Sequence, residues 1–262
     1  MSGDIVRTFF TAAEAYDRFV GRYTPALAVA HLEALGVRPE DRVLDVGCGP
    51  GAFTRAAADL VGPERVTALD PSPTFVEACR SRVPGADVRL GVAEDLVAAP
   101  VPFDVATSQL VVNFMSDAER GVRAMAAATR PGGVVGSVVW DYKGEMTMLR
   151  TFWGAAVALD PDALDEGRTM RYGSPDELQE LWEACGLQEV ATRPLVVEAA
   201  YEGFEDFWTP FLAGVGPAGA YCVGLDPDSQ AALHDECHKR LGSPAGPFTL
   251  SARAWLVRGT RT

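Results

Sequence analysis

The chain of 262 residues is short of positive charge, and above all of lysine. Lys143 and Lys239 are its only lysines, and Lys+Arg totals 23 against 36 Asp+Glu, a net charge of −13. A field of that sign repels phosphate backbones, which argues against nucleic-acid partners. There is no run of about 18 apolar residues, so no membrane span is expected. The opening segment MSGDIVRTFF carries Asp4 and lacks a long apolar stretch with a cleavage site, so no signal peptide is expected. Cysteine is sparse and unpaired in pattern. Cys48, Cys79, Cys185, Cys222 and Cys237 are an odd set without a CxxC pair, unlike a disulfide framework or a zinc site. A reducing, cytoplasmic setting follows. Histidine is nearly absent too. His31 sits in an apolar helical stretch and reads as structural; His234 and His238, at i and i+4, share a helix face but lack an evident third ligand. No metal is expected.

What the chain does have is a globular balance, 48% hydrophobic and 23% charged, which excludes wholesale disorder. Its length suits one large domain, or one domain with sizeable insertions. The Arg-over-Lys bias and the abundance of Ala, Gly and Pro point to a GC-rich bacterial gene. From residue 41 to 140 strand-like and helix-like segments alternate. VLDV (43–46), RVTALD (65–70), DVRLGV (87–92), FDVATSQLVV (103–112) and GGVVGSVVW (132–140) read as strands. Between them lie helical stretches at 49–62, from a Ser72 cap to Arg82, and at 116–130, the last opened by a Ser116…Glu119 capping box. Near-continuous apolar strands alternating with helices predict an α/β, doubly wound parallel sheet covered on both faces. Further on, 147–159, 174–186 and 228–241 read as helices, and 187–199 and 248–259 as strands.

The strongest local signal is Val43-Leu44-Asp45-Val46-Gly47-Cys48-Gly49-Pro50-Gly51, a strand entering a glycine turn ahead of a helix. Asp70 closes the next strand in Ala68-Leu69-Asp70-Pro71-Ser72, where a carboxylate can accept ribose hydroxyls. Gly47-x-Gly49-x-x-Ala52 formally satisfies the dinucleotide fingerprint, a weak signal alone. Asp45 argues against a pyrophosphate, because two negative groups would lie close together. S-adenosylmethionine (SAM) carries an ammonium and a sulfonium and no phosphate, so an acidic site attracts it.

Over about residues 40–140 the chain resembles the class I SAM-dependent methyltransferases, in the small-molecule group that includes the ubiquinone/menaquinone-type enzymes. VLDVGCGPG is similar to the first motif, ALDPS to the second and Gly91-Val92-Ala93-Glu94-Asp95-Leu96 to the adenine-contacting segment. Phe103-Asp104 with Ser108-Gln109-Leu110 resembles the fourth strand, and Arg130-Pro131-Gly132-Gly133 the turn before the fifth. The resemblance implies a seven-stranded Rossmann-like sheet ending in an antiparallel hairpin, 187–199 with 248–259. It implies that Asp45 orients the loop and the methionyl ammonium, and that Gly47, Cys48, Gly49 and Gly51 line methionine and ribose. It implies too that Asp70 binds the ribose, with Pro71 and Ser72 beside the adenine and Ala93 and Glu94 along its edge. Val92 departs from the family, which often carries Asp there. SAM is the implied cofactor and S-adenosylhomocysteine (SAH) the product.

Residues 1–35 are expected to form a helical lid, with Arg22 on the SAM carboxylate and Tyr16 and Tyr23 over the sulfonium. Segments 142–172 and 201–247 read as cap insertions within one 1–262 domain. Ligands of open α/β sheets sit at the carboxyl ends of strands. That rule selects Ser108, Gln109 and Asn113, then Trp140, Asp141 and Tyr142. The insertions add Trp153, Arg171, Tyr172, Trp208, Phe211 and Tyr221, suited as a group to a bulky organic substrate. Asp141 is the best-placed candidate base, with Tyr16 and Tyr142 weaker ones, although methyl transfer can run on proximity alone.

Three functions remain open: a methyltransferase acting on a bulky small molecule, such as a secondary metabolite; a related SAM- or SAH-binding enzyme that cyclises or rearranges a natural product; and an NAD-dependent oxidoreductase, disfavoured by Asp45 and the Pro-Gly-Gly turn. The expected partner is a small-molecule substrate. The sequence leaves the oligomeric state open between monomer and homodimer.

Overall fold

A computed structural model describes residues 13–96 and 101–262. Its seven strands are β1 (Val43–Val46), β2 (Val66–Asp70), β3 (Asp87–Leu90), β4 (Phe103–Gln109), β5 (Thr129–Trp140), β6 (Gln188–Tyr201) and β7 (Phe248–Thr260). They form one sheet in the order β3-β2-β1-β4-β5-β7-β6. β1 pairs in parallel with β2 and β4, β2 with β3, and β4 with β5. The last two strands run antiparallel. Gly132 and Gly133 exchange backbone hydrogen bonds with Arg261, whereas Asp141 N donates to Arg253 O. As β5 advances, its partner on β7 therefore recedes. All residues of β1 and β2 are buried, the condition under which a parallel strand reads as an unbroken apolar run. The chain steps outward from β1 to β3 and returns beside β1 as β4. That reversal is the topological switch point where open α/β sheets bind ligands.

The chain divides into two compact units. The larger holds residues 24–139, 171–195 and 255–262, and contains the parallel strands. Its helices span Thr24–Leu35, Ala52–Val61, Pro73–Arg82, Ala118–Ala128 and Pro175–Ala184. Most starts follow the sequence: Ser72 accepts from Phe75 N and Ser174 from Glu177 N, each with proline next. One start differs. Asp117, not Ser116, caps the helix at Ala118 by accepting from Arg120 N at 3.0 Å. Ser116 instead donates to Glu94, so the capping box does not form. Strand β4 also stops earlier than its apolar run suggests, because Leu110 takes φ +66° and turns the chain. Residues 24–35, read as part of the lid, lie in this unit. His31 in that helix is fully buried, bonded to Thr107 Oγ1 at 3.0 Å, and held neutral by burial, with its pKa lowered to about 3.

The smaller unit holds residues 13–23, 140–170 and 196–254; residues 1–12, the start of the expected lid, lie outside the described residues. It is aromatic at its centre: Phe152 stacks on Phe211 at 4.4 Å, and Phe19 meets Phe211 edge-on at 5.0 Å. Among the described residues no helix is long and apolar enough to cross a membrane.

Candidate cofactor site

The glycine turn after β1 is built by close approach. Gly47 N and Cys48 N both donate to Leu69 O, at 2.7 and 3.0 Å, which ties the turn to the end of β2. Gly47 has φ +73°, and a Cβ there would lie 2.4 Å from Val111 Cγ2. A left-handed backbone costs an L-residue about 1–2 kcal/mol, and a core overlap about as much again. Gly47→Ala is therefore expected to lower the melting temperature by roughly 5–10 °C for a loss of about 2–4 kcal/mol in a chain of this size. Gly47→Ala with Val111→Ala recovers part of that loss, because the overlap goes and the dihedral strain stays. Gly49, at φ +52°, differs: a Cβ there meets nothing within 4 Å. That is the open side of the turn.

Two carboxylates face this turn. Asp70 accepts from Gly49 N at 2.9 Å through one oxygen and from Ser72 N at 2.8 Å through the other. Burial raises its pKa against these two bonds. Each oxygen retains accepting capacity for a further donor. Asp45 is fully buried. Thr54 Oγ1 donates to its Oδ2 at 2.6 Å, while Oδ1 has no partner. Burial pushes its pKa up to about 7, and nearby Asp70 adds to the rise. A buried carboxylate oxygen without a partner is costly unless a donor or cation meets it. The site therefore suits a ligand bringing an ammonium and hydroxyls and disfavours one bringing a pyrophosphate.

The remaining residues of the larger unit divide by what already occupies them. Cys48 is buried, its thiol raised by its contact with Cys79 and by burial. Pro71 is exposed and Ser72 buried. Ala93 is buried. Glu94 Oε1 accepts from Ser116 N, Ser116 Oγ and Asp117 N. Burial opposes ionisation there, yet those donors hold the group below the usual carboxylate range. Its side chain thus fastens the adjoining turn at Ser116 and Asp117. Ser108 is fully buried, its hydroxyl shared with Ser137 Oγ at 2.8 Å. Gln109 Nε2 donates to Thr24 O at 3.3 Å, and its Oε1 has no partner. Asn113 lies half-buried in the 3₁₀ turn Val112–Phe114. Arg171 is exposed, donates to Tyr172 OH, and lines an open groove of about 420 Å³ with Glu119, Glu177 and Glu180.

The other expected site residues belong to the smaller unit. Tyr16 is half-buried. Arg22 gives its guanidinium to Asp206, to Arg18 O and to Ala200 O, and lies 4.1 Å from the centre of the Tyr201 ring. Tyr23 shares a hydrogen bond with Tyr201 OH at 2.9 Å, and burial pushes its pKa to about 12. Asp141 accepts from Gly144 N, Glu145 N and Arg253. Those bonds make it the anchor of the 141–146 turn and leave it little freedom as a base. Trp140 is buried with Nε1 unpartnered, and Tyr142 is buried. Trp153 donates to Glu166, Trp208 meets Phe211 and His234, and Tyr221 packs 5.3 Å from Trp153. Sequence reasoning missed Thr54, Tyr201, Arg253 and Glu166. Thr54 alone left a trace, as a hydroxyl residue one turn past the glycines.

Residues 43–133 match a family model described as a methyltransferase domain. Malonyl-[acyl-carrier protein] O-methyltransferase of Serratia marcescens is 33% identical over 129 residues, 47% of this chain and 50% of that protein. Ubiquinone biosynthesis O-methyltransferase of Methylobacterium sp. (strain 4-46) is 36% identical over 96 residues, 35% of this chain and 38% of that one. The chain thus spans half or less of the length of these curated relatives. In structure, a putative methyltransferase from Bacillus halodurans C-125 matches with TM-score 0.59 and 14% identity, over 89% of this chain and 98% of its own. Phosphoethanolamine N-methyltransferase 2 of Haemonchus contortus, solved with S-adenosyl-L-methionine, matches at TM-score 0.55 and 16% identity, over 90% and 52%.

Proposed function

We propose that this chain, which has the fold of the class I SAM-dependent methyltransferases, is itself a SAM-dependent methyltransferase acting on a bulky small-molecule acceptor. The observation that carries the reading is the buried, unpartnered Oδ1 of Asp45 beside a glycine turn that Asp70 holds by Gly49 N. Asp45 Oδ1 would take the methionyl ammonium. Asp70 would accept the ribose hydroxyls with the capacity its two backbone bonds leave. The bare backbone at Gly49 would allow close approach, with Gly47, Cys48 and Gly51 shaping the turn. Pro71, Ser72 and the backbone of Ala93 and Glu94 would border the adenine. SAM, when bound, supplies an electrophilic methyl on a sulfonium.

The chain's own part is to hold two partners in line and keep water out, the contribution by which proximity lowers a barrier. Asp141 and Arg22 are already engaged within their own unit, so the reading assigns neither a base nor a carboxylate clamp to them. A bulky, apolar acceptor of the kind found in bacterial biosynthetic chemistry is the substrate class the sequence pattern suggests, whereas Trp153 and Trp208 are buried in the core of their own unit. The named relatives act in different pathways, so the acceptor is not inherited from any of them. No specific observation favours a non-methylating step.

Calorimetric titration with SAM, SAH and NAD tests the reading. Micromolar binding of SAM and SAH without binding of NAD is the expected result. Binding of NAD alone, or of none of the three, overturns it.

A further inference from the structure

Thr54 is fully buried in the first turn of the helix Ala52–Val61. Gly51 offers that helix no capping side chain, and the first N–H groups of a helix have no partners inside it. The acceptor comes instead from β1. Thr54 Oγ1 donates to Asp45 Oδ2 at 2.6 Å, and the Thr54 N–H also favours the ionised carboxyl. Both residues lie in the larger unit.

A carboxyl has two oxygens, and a fixed donor on one decides where the other points. With Oδ2 held by the hydroxyl, Oδ1 is the oxygen left without a partner. The hydroxyl acts on charge as well. Burial drives Asp45 toward its neutral form, the Thr54 bonds oppose that, and Asp70 at the end of β2 adds to the effect of burial. The other titratable neighbours are thiols, Cys48 in the turn and Cys79 on the helix Pro73–Arg82. None of these neighbours is cationic. The donors of Thr54 are therefore what sustains a negative charge on Asp45 before any ligand arrives.

We infer that Thr54 is a positioning residue for the cofactor: its hydroxyl turns Asp45 Oδ1 toward the methionyl ammonium and keeps the group a carboxylate. It thereby sets the preference of the site for ligands that carry the amino-acid half. The inference rests on the methyltransferase reading and adds to it a residue that acts through Asp45.

The probes are SAH and 5′-methylthioadenosine, which keeps the adenosine and the thioether but has no ammonium. Both are titrated calorimetrically across the neutral pH range. Thr54→Val keeps the side-chain shape and removes the hydroxyl donor. SAH affinity at neutral pH should fall about fivefold or more while 5′-methylthioadenosine stays within about twofold, since losing a hydrogen bond to a charged group moves a carboxyl pKa by about one unit. The rise of SAH affinity with pH, centred near 7 in the native protein, should move up by about one unit in the variant. Thr54→Ser returns the donor and should restore both properties. Should Thr54→Val fail to fold, Thr54→Cys under reducing conditions keeps a weak donor and should show a smaller shift in the same direction. Equal losses for the two ligands, an unmoved pH midpoint, or no recovery with serine overturns the inference. If the native protein binds no SAH, the methyltransferase reading falls and Thr54 is judged without ligand. The melting temperature of the native protein should then decline as pH rises to about 7, and that of Thr54→Val should go on declining to a higher pH. A decline that ends at the same pH in both proteins overturns the inference.

Discussion

Asp45→Asn is expected to stabilise the cofactor-free protein and at the same time to weaken SAH binding by about a hundredfold or more. Both effects come from one buried carboxyl. In the folded chain its pKa rises from 3.8 to about 7. A folded state that binds the proton more tightly than the unfolded state gains stability as pH falls. Stability is therefore lost as pH climbs from 3.8 to about 7, and the deficit persists above that range. Asparagine removes the ionisation and keeps an acceptor for Thr54. Its melting temperature should exceed that of the native protein at neutral and slightly alkaline pH, and the two should converge in acid. Binding moves the other way, because removing one partner of a buried charge pair costs about 3–5 kcal/mol. Native affinity for SAH should rise with pH up to about 7, and the variant should lack that dependence. A variant that binds SAH as the native protein does would show that no ammonium sits on Asp45.

Asp70→Ala carries the second large effect. The carboxylate connects Gly49 N and Ser72 N, so it organises the turn as well as offering acceptors to a ribose. Alanine leaves two backbone N–H groups without their acceptor, at about 1–3 kcal/mol each where water cannot replace it. SAH affinity should fall by more than tenfold, with a lower melting temperature. Asparagine is no substitute, because its amide turns an N–H toward one of the two backbone N–H groups. A folded Asp70→Ala protein with unchanged SAH affinity would remove Asp70 from the site.

Much of the larger unit was legible because its signals are local. The apolar runs of β1 and β2, the glycines between strand and helix, and Ser72 followed by Pro73 each act within a few residues. The errors were local competitions settled at a distance. Ser116 lost the capping role because Glu94, 22 residues earlier, claims its hydroxyl and its N–H. The apolar run through Val112 did not stay a strand because Leu110 turns away after donating its N–H to Val138 O.

Charged residues of the smaller unit were harder to read. Arg22 and Asp141 have the chemistry of a clamp and a base, but a side chain's use depends on what arrives beside it. Asp206 lies 184 residues from Arg22 in sequence, and Arg253 lies 112 from Asp141. No periodicity marks such pairs. Glu166 is likewise an ordinary acidic residue in the sequence, and only the structure shows it buried and bonded to Trp153.

The sequence by itself determined the alternation of strands and helices, the glycine turn, and the two acids that flank it, because backbone sterics and apolar periodicity act over short spans. Only the tertiary structure decided which polar groups are already satisfied and which are left open. Hydrogen bonds and ion pairs between distant segments set that division, and burial fixes what each unpaired group costs. Asp45 stands on the open side of it; Arg22, Asp141 and Ser108 do not.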